Sequence, residues 1–270
     1  MFIDSHCHLS FPELRARLPE ILEAMRQARV ERAICICTTL EEFDQVHELA
    51  VSHEQLWATV GVHPDNEGVR EPDVTELVEL ARRPRIVAIG ETGLDYYRRG
   101  ERTLADMEWQ RERFRHHIQA ARQTDLPLVI HTRSASDHTL AILKEEGGFA
   151  SGAGNGQPVA RGVLHCFTES MDVARAALDL DFYISFSGIL TFKNAVELKD
   201  VARYVPLERC LIETDSPYLA PVPYRGKTNT PALVPYVAQH LAELKGITVE
   251  QVAAATSANT LALFRGLATA

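Results

Sequence analysis

Phe2-Ile3-Asp4-Ser5-His6-Cys7-His8 stands near the start of the chain, and how this stretch is read decides the fold. Phe2 and Ile3 belong to a short apolar run of the kind a buried strand presents, and two imidazoles close it. In extended backbone, residues two apart point the same way, so His6 and His8 can reach one ion while Cys7 turns aside. The pattern then recurs. Glu91 follows Ile86-Val87-Ala88-Ile89, His131 follows Leu128-Val129-Ile130, and His165 follows Val163-Leu164. Asp215 lies just beyond Cys210-Leu211-Ile212. In a (β/α)8 barrel the active site forms where the strands end. Imidazoles and carboxylates repeated at such ends predict a barrel with a metal centre at its mouth.

Working outward, apolar runs and amphipathic stretches alternate along the whole chain. Strand-like runs fall near 2–6, 32–38, 56–62, 85–90, 127–131, 161–165, 182–187 and 208–213. Between them lie helical patterns; residues 14–28 place Leu14, Leu18, Ile21, Leu22, Met25 and Ala28 on one face. Thr39-x-x-Glu42, Asp73-x-x-Glu76 and Thr248-x-x-Gln251 resemble signals that open helices, and Gly147 and Gly246 fall where helices stop. Strands alternating with helices imply parallel pairing through right-handed crossovers. A single (β/α)8 TIM barrel typically needs about 250 residues, so residues 1–270 read as one α/β domain.

Composition narrows the function. With 28 basic and 37 acidic residues the net charge is −9. Coating a duplex needs a basic face, so the chain as a whole is unsuited to that role. One phosphate group can still be bound where cations and a few arginines reverse the local sign. No run approaches the roughly 18 apolar residues of a membrane span, and the N-terminus shows no signal-peptide pattern. Five cysteines, odd in number and mostly inside apolar runs, suit reduced thiols in a cytoplasm.

Other residues carry two readings each. Glu91 would be buried, and a buried carboxylate needs either an arginine or cations to offset its charge. Asp95 reads as a turn residue rather than a ligand, and Cys166 as packing back into the barrel wall. Glu213 shares the parity of Asp215 and stands as a carboxylate behind the site or as a further ligand. His63, in Gly61-Val62-His63-Pro64-Asp65, either contacts substrate or caps the turn set by Pro64. Arg133 offers a bidentate phosphate contact. Arg225 and Lys227 belong to a basic loop that either covers the site or is solvated. The glycine-rich stretch 147–158 lacks the lysine of a phosphate loop and reads as a flexible connection at the non-catalytic end.

Together, DSHCHL, GVHP, GETGLDY, HTR, HCF, ETDSPYLAP and YRGKTNTP resemble, in order, the signatures of the TatD family of metal-dependent deoxyribonucleases, within the amidohydrolase-like barrels. The resemblance runs from Asp4 to Pro231 and extends to the closing helices. It implies a two-metal centre hydrolysing DNA phosphodiesters, often as a 3′→5′ exonuclease. One implied metal site falls on His6, His8, Glu91 and Asp215, and the other on Glu91, His131 and His165, with Glu91 bridging. Two departures stand out: Asp65 replaces the second histidine often found in GVHPH, and Ser134 replaces the acidic residue often found after HTR.

The expected reaction is hydrolysis of single-stranded or frayed DNA ends by a cytoplasmic monomer. Two divalent cations (Mg, Mn or Zn) would act with Asp215 as proton acceptor and Glu91 as bridge. His63, Arg133 and Arg225 would bind the substrate. One alternative is an amidohydrolase-like enzyme acting on a small amide, lactone or phosphoester, whose relatives often bridge their metals with a lysine where this chain has Glu91. Another is a noncatalytic nucleic-acid-binding barrel, which would not require six ligand-type residues.

Overall fold

The computed structural model describes residues 1–149 and 158–268. Eight strands pair in sequence order: Phe2–Cys7 (β1), Val30–Cys35 (β2), Leu56–Val60 (β3), Ile86–Asp95 (β4), Leu128–Arg133 (β5), Gly162–Leu164 (β6), Tyr183–Phe186 (β7) and Cys210–Ile212 (β8). All seven neighbouring pairs are parallel. The first and last strands meet beyond the end of β8. Cys7 forms a parallel bridge with Ser216, the His8 N–H donates to Ser216 O at 2.8 Å, and the Asp215 N–H donates to His6 O at 2.9 Å. Asp4 fastens the same seam, its carboxylate accepting from the Thr214 N–H at 2.9 Å and from the Thr214 hydroxyl. The expected TIM barrel is present, and its closing seam carries His6, His8 and Asp215.

Helices cover the outside: Pro12–Arg15 (α1), Leu18–Gln27 (α2), Phe43–Ser52 (α3), Val74–Ala81 (α4), Glu108–Thr124 (α5), Ser136–Glu146 (α6), Met171–Asp179 (α7), Val196–Tyr204 (α8), Val234–Lys245 (α9) and Val249–Leu263 (α10). The helix expected over 14–28 is split into α1 and α2. Pro19, at the second position of α2, has no N–H and its ring would clash with the carbonyl four residues back, so the chain breaks at Ala16-Arg17. Thr248 and Gln251 form the expected capping box, and Asp73 accepts from the Glu76 N–H at α4. Gly246 ends α9 in the left-handed conformation. Of the glycine-rich stretch, residues 150–157 lie outside the described residues.

Two apolar layers hold the barrel. The outer one packs helices onto strands through residues such as Ala33, Cys35, Ala58, Phe114 and Ile118. The inner one fills the floor, where Ile3, Ile34, Ile36, Trp57, Val87, Val129, Val163 and Leu211 meet Leu263, Phe264 and Leu267 from the C-terminal segment. Above that floor the strands bulge. Between Ile89 and Thr92, β4 spends one residue more than its partner β5 does between Leu128 and Ile130, and Glu91 lies in the excess. The close packing there needs glycine: a Cβ on Gly61 would lie 2.5 Å from the Gly90 carbonyl carbon, and one on Gly93 2.0 Å from His131 O.

Candidate metal centre

The bulge in β4 sends Glu91 into the mouth of the barrel, where it is buried at the centre of five imidazoles. Its two oxygens face different partners. Oε2 lies 3.4 Å from His6 Nε2 and 4.0 Å from His8 Nε2. Oε1 lies 2.9 Å from His165 Nε2, 3.3 Å from His131 Nδ1 and 3.3 Å from His63 Nε2. Asp215 lies nearest the first group, with Oδ1 3.4 Å from His8 Nε2 and 3.6 Å from His6 Nε2. A left-handed turn at Asp215 (φ 57°) brings its carboxylate back over the strand end.

The far side of each imidazole decides which nitrogen keeps a lone pair. His165 Nδ1 lies 3.2 Å from Glu213 Oε1, so its proton belongs there and Nε2 turns its lone pair towards Glu91. His131 is reversed: Nε2 lies 3.0 Å from Asp95 Oδ2, leaving the Nδ1 lone pair inward. His63 differs. Its Nδ1 accepts the Asp65 N–H at 3.0 Å, so in the neutral ring the proton sits on Nε2 and points at Glu91. His131 and His165 are therefore built as lone-pair donors, and His63 as a hydrogen-bond donor. His6 and His8 bring their Nε2 atoms within 3.2 Å of each other, and neither Nδ1 has a hydrogen-bond partner.

Lone pairs of nitrogen aimed at carboxylate oxygens at 3 to 4 Å repel unless a proton or a cation lies between them. Protons are one solution. Burial opposes charge on His165 and His131, yet Glu91 with Glu213, and Asp95 with Glu91, hold these imidazoles above their ordinary range. Burial likewise works against charge on Glu91, but His165, His63 and His6 hold its carboxyl well below the usual range. Asp215 is also held low, burial being outweighed by His8 and His6. Divalent cations would satisfy the same lone pairs, and three sets of ligand-type atoms lie close enough to share one: His6, His165 and Asp215; His6, His8 and Glu91; and His63, Glu91 and His131, the last offering two lone-pair donors because the inward nitrogen of His63 carries its proton. The donor set fits a metal centre.

Around the cluster opens a cavity of about 670 Å³, lined by His8, His63, Glu91, His131, His165 and Asp215 together with Phe11, Arg98, Arg133 and Tyr218 among others. Arg133 lies in it, its guanidinium 3.6 Å above the Tyr97 ring. Arg225 does not line it; that side chain stacks on Phe192 at 4.4 Å, and Lys227 sits 5.7 Å from the Tyr224 ring. Cys166 also departs from expectation. A left-handed backbone (φ 42°) takes it out of the strand's alternation, so it lines the cavity with Sγ 3.2 Å from Ser187 Oγ instead of packing into the wall.

Sequence reasoning missed several supporting residues. Asp95 does hold its turn, accepting the Tyr97 N–H at 2.9 Å, but its other oxygen backs His131. Arg113 and His117 on α5 hold the loop that carries His63: the guanidinium donates to His63 O at 2.7 Å, and His117 Nε2 accepts the Val62 N–H at 3.0 Å. Asn229 ties the Asp215 turn, donating to Thr214 O and Tyr218 O. No motif spacing announces these contacts.

The model of TatD-related DNases matches residues 3–265 of the chain. The chain belongs to that family. It is 46% identical over 266 residues to the metal-dependent hydrolase YcfH of Escherichia coli K12, covering 97% of this chain and 95% of that one. It is 33% identical over 251 residues to the 3′-5′ ssDNA/RNA exonuclease TatD of Klebsiella pneumoniae, covering 91% and 90%. Among solved structures, the TatD homologue YJJV of Escherichia coli K12 matches with a TM-score of 0.87 at 29% identity over 98% of both chains. The resemblance read from the motifs is thus borne out, as is membership of a family of metal-dependent hydrolases.

Proposed function

We propose that this TatD-family barrel hydrolyses phosphodiester bonds of DNA at single-stranded or frayed ends, working from the 3′ end, with two divalent cations. One observation carries the reading: Glu91 presents one oxygen to His6 and His8 and the other to His131 and His165, as a bridge between two ions requires. His6, His8, Glu91 and Asp215 would hold one ion, and Glu91, His131 and His165 the other. Bound there, the cations would neutralise a nonbridging phosphate oxygen and lower the pKa of the attacking water. Imidazole-rich ligands favour Zn or Mn over Mg by type.

The chain's own groups do the rest. Asp215 is the more exposed of the two central carboxylates, 15% against 3% for Glu91, and so is the one placed to accept the proton of the attacking water. Asp95 and Glu213 fix the tautomers of His131 and His165. The His63 Nε2–H donates to a phosphate oxygen, and Arg133, braced on Tyr97, takes a flanking phosphate. The Klebsiella relative's name and the net charge of −9 both favour a single strand held at the mouth over a coated duplex.

Residues 1–270 would act as one domain and as a monomer. Among the described residues no helix is long and apolar enough to cross a membrane, and five unpaired cysteines fit a reducing cytoplasm. The deciding assay is hydrolysis of end-labelled single-stranded DNA with Mg, Mn and Zn compared, beside a panel of amides, lactones and small phosphoesters. Cleavage of the small substrates alone would replace the nuclease reading with a small-molecule hydrolase.

A further inference from the structure

The mouth cavity has two unlike sides. In the strand order of the barrel, the ends of β1, β7 and β8 lie across from those of β4 and β5. From the first side come Phe11, Ile189, Tyr218 and Leu219; from the second come Arg98 and Arg133. Phe11 lies parallel to the His8 ring at 4.7 Å and 22°, and the Tyr218 ring stands edge-on to it at 6.3 Å and 75°. Tyr218 is 54% exposed although its backbone is pinned, its N–H donating to Asp215 O at 3.0 Å and its carbonyl accepting from Asn229. A large aromatic ring held in water on a fixed backbone, beside a reaction centre, is ready to bury its face against a ligand.

We infer that Phe11 and Tyr218, backed by Ile189 and Leu219, form a stacking subsite for one unpaired nucleobase next to the cleaved phosphodiester. The backbone phosphates then turn towards Arg98 and Arg133. The inference deepens the nuclease reading and rests on it. The chemistry is that of a nucleobase on an aromatic face, which every base offers, so the subsite tolerates any sequence. It would also account for selection of single strands without a basic surface: in a duplex each base is held by its pairing partner and its stacked neighbour, and only a frayed or unpaired base is free to enter.

Two measurements test it on the metal-loaded protein. The first walks a tetrahydrofuran residue, which lacks a base, through the last few nucleotides of a single strand. Removal of the base at one position should raise KM by roughly 5- to 150-fold, the range of base–aromatic stacking. Phe11→Ala and Tyr218→Leu should raise KM similarly on the intact strand and lose the sensitivity to the missing base. Tyr218→Phe, which keeps the ring, should retain it. The second measurement follows 2-aminopurine at that position in a phosphorothioate strand that resists cleavage; its emission should be quenched by the wild type and by Tyr218→Phe, but not by Tyr218→Leu. Unchanged KM in the variants, or a base effect of equal size in wild type and variants, overturns the subsite while leaving the nuclease. Quenching on the phosphorothioate strand, with no cleavage of the ordinary strand, keeps a base-stacking site and overturns the nuclease. Absence of both overturns the two together.

Discussion

At the floor of the barrel, Ile3, Ile34, Trp57, Val87, Val129, Val163 and Leu211 close against Phe264 and Leu267 as an apolar layer in which the buried Trp57 indole N–H alone goes unpartnered among the residues named; a few residues further along the same strands, His6, Glu91, His131 and His165 crowd together with Asp215. The floor follows the rule for interiors, apolar and filled. The mouth breaks it, with buried lone pairs aimed at one another and two imidazole nitrogens left without partners. Departures of this kind cost stability and mark the places where a chain is built for something other than folding. The strand supplies both ends, so a shift of a few residues separates structure from chemistry.

The sharpest way to break that contrast is to remove the bridge. Glu91→Gln keeps the shape but withdraws the charge from both groups of imidazoles. Bound metal per chain, measured by elemental analysis, should fall, and kcat/KM should drop by about 10³-fold or more, since metal-ion stabilisation of a transition state is worth several kcal/mol. Chelation of the wild type should have the same effect. A Glu91→Gln variant with full metal content and activity would end the case for a bridging carboxylate.

Asp215→Asn comes next, because it separates ligation from proton transfer. General-base catalysis is typically worth about 10²–10⁴-fold, so kcat should fall by that range while KM moves little. A rise in KM with kcat preserved would make Asp215 a binding group and leave the water without its proton acceptor.

The floor should respond in the opposite currency. Phe264 is fully buried in the inner layer, and Phe→Ala in such a site typically costs about 3–5 kcal/mol. Urea unfolding of Phe264→Ala should show that loss, with kcat/KM per folded molecule unchanged. If activity falls further than the folded fraction does, the two ends are coupled and the floor is part of the catalytic machinery.

How much of this was legible in the chain follows from the same contrast. Buried parallel strands read as apolar runs, so the barrel and the residues that end its strands could be read from Ile86-Val87-Ala88-Ile89 before Glu91 or Leu128-Val129-Ile130 before His131. The partners behind the imidazoles could not. Asp95 meets His131 from 36 residues away and Glu213 meets His165 from 48, so only the closed barrel brings them together. Asp95 was read correctly as a turn residue, but its second oxygen behind His131 was not foreseen, and Cys166 was misjudged because strand alternation was carried past the point where the backbone leaves it. Arg225 was read as covering the site from charge and loop composition, which say nothing of the Phe192 ring that holds it.

His117 tests the wall between the two ends. Burial pushes its imidazole down to about 3, and it stays neutral, with Nε2 accepting from Val62 and Nδ1 set against Arg113 O at 2.7 Å. In the unfolded chain an ordinary histidine titrates near pH 6.5. Between these values the unfolded state binds a proton that the folded state refuses. Its contribution is therefore complete above about pH 6.5 and is lost as pH falls towards 3, at up to roughly 1.4 kcal/mol per pH unit. His117→Gln should flatten the acid limb of stability against pH by that slope. An unchanged acid limb would mean that the imidazole takes up its proton without unfolding.

The smallest expected effect separates two arginines. Arg133 lines the cavity and is braced on Tyr97, so Arg133→Ala should raise KM for a single strand by about tenfold, the scale of one charge-assisted phosphate contact, and the penalty should shrink as salt screens it. Arg225 lies off the cavity against Phe192, so Arg225→Ala should leave KM within about twofold, with kcat unchanged. The comparison needs the same strand, the same metal and a salt series for both variants. Equal rises in KM, with equal salt dependence, would show that the loop from Arg225 to Asn229 closes over the mouth when substrate binds. The basic loop would then belong to the binding site, as its charge suggested, and the resting position of Arg225 on Phe192 would be the one it leaves. A rise confined to Arg133 would instead fix the phosphate path along the side of the barrel formed by β4 and β5.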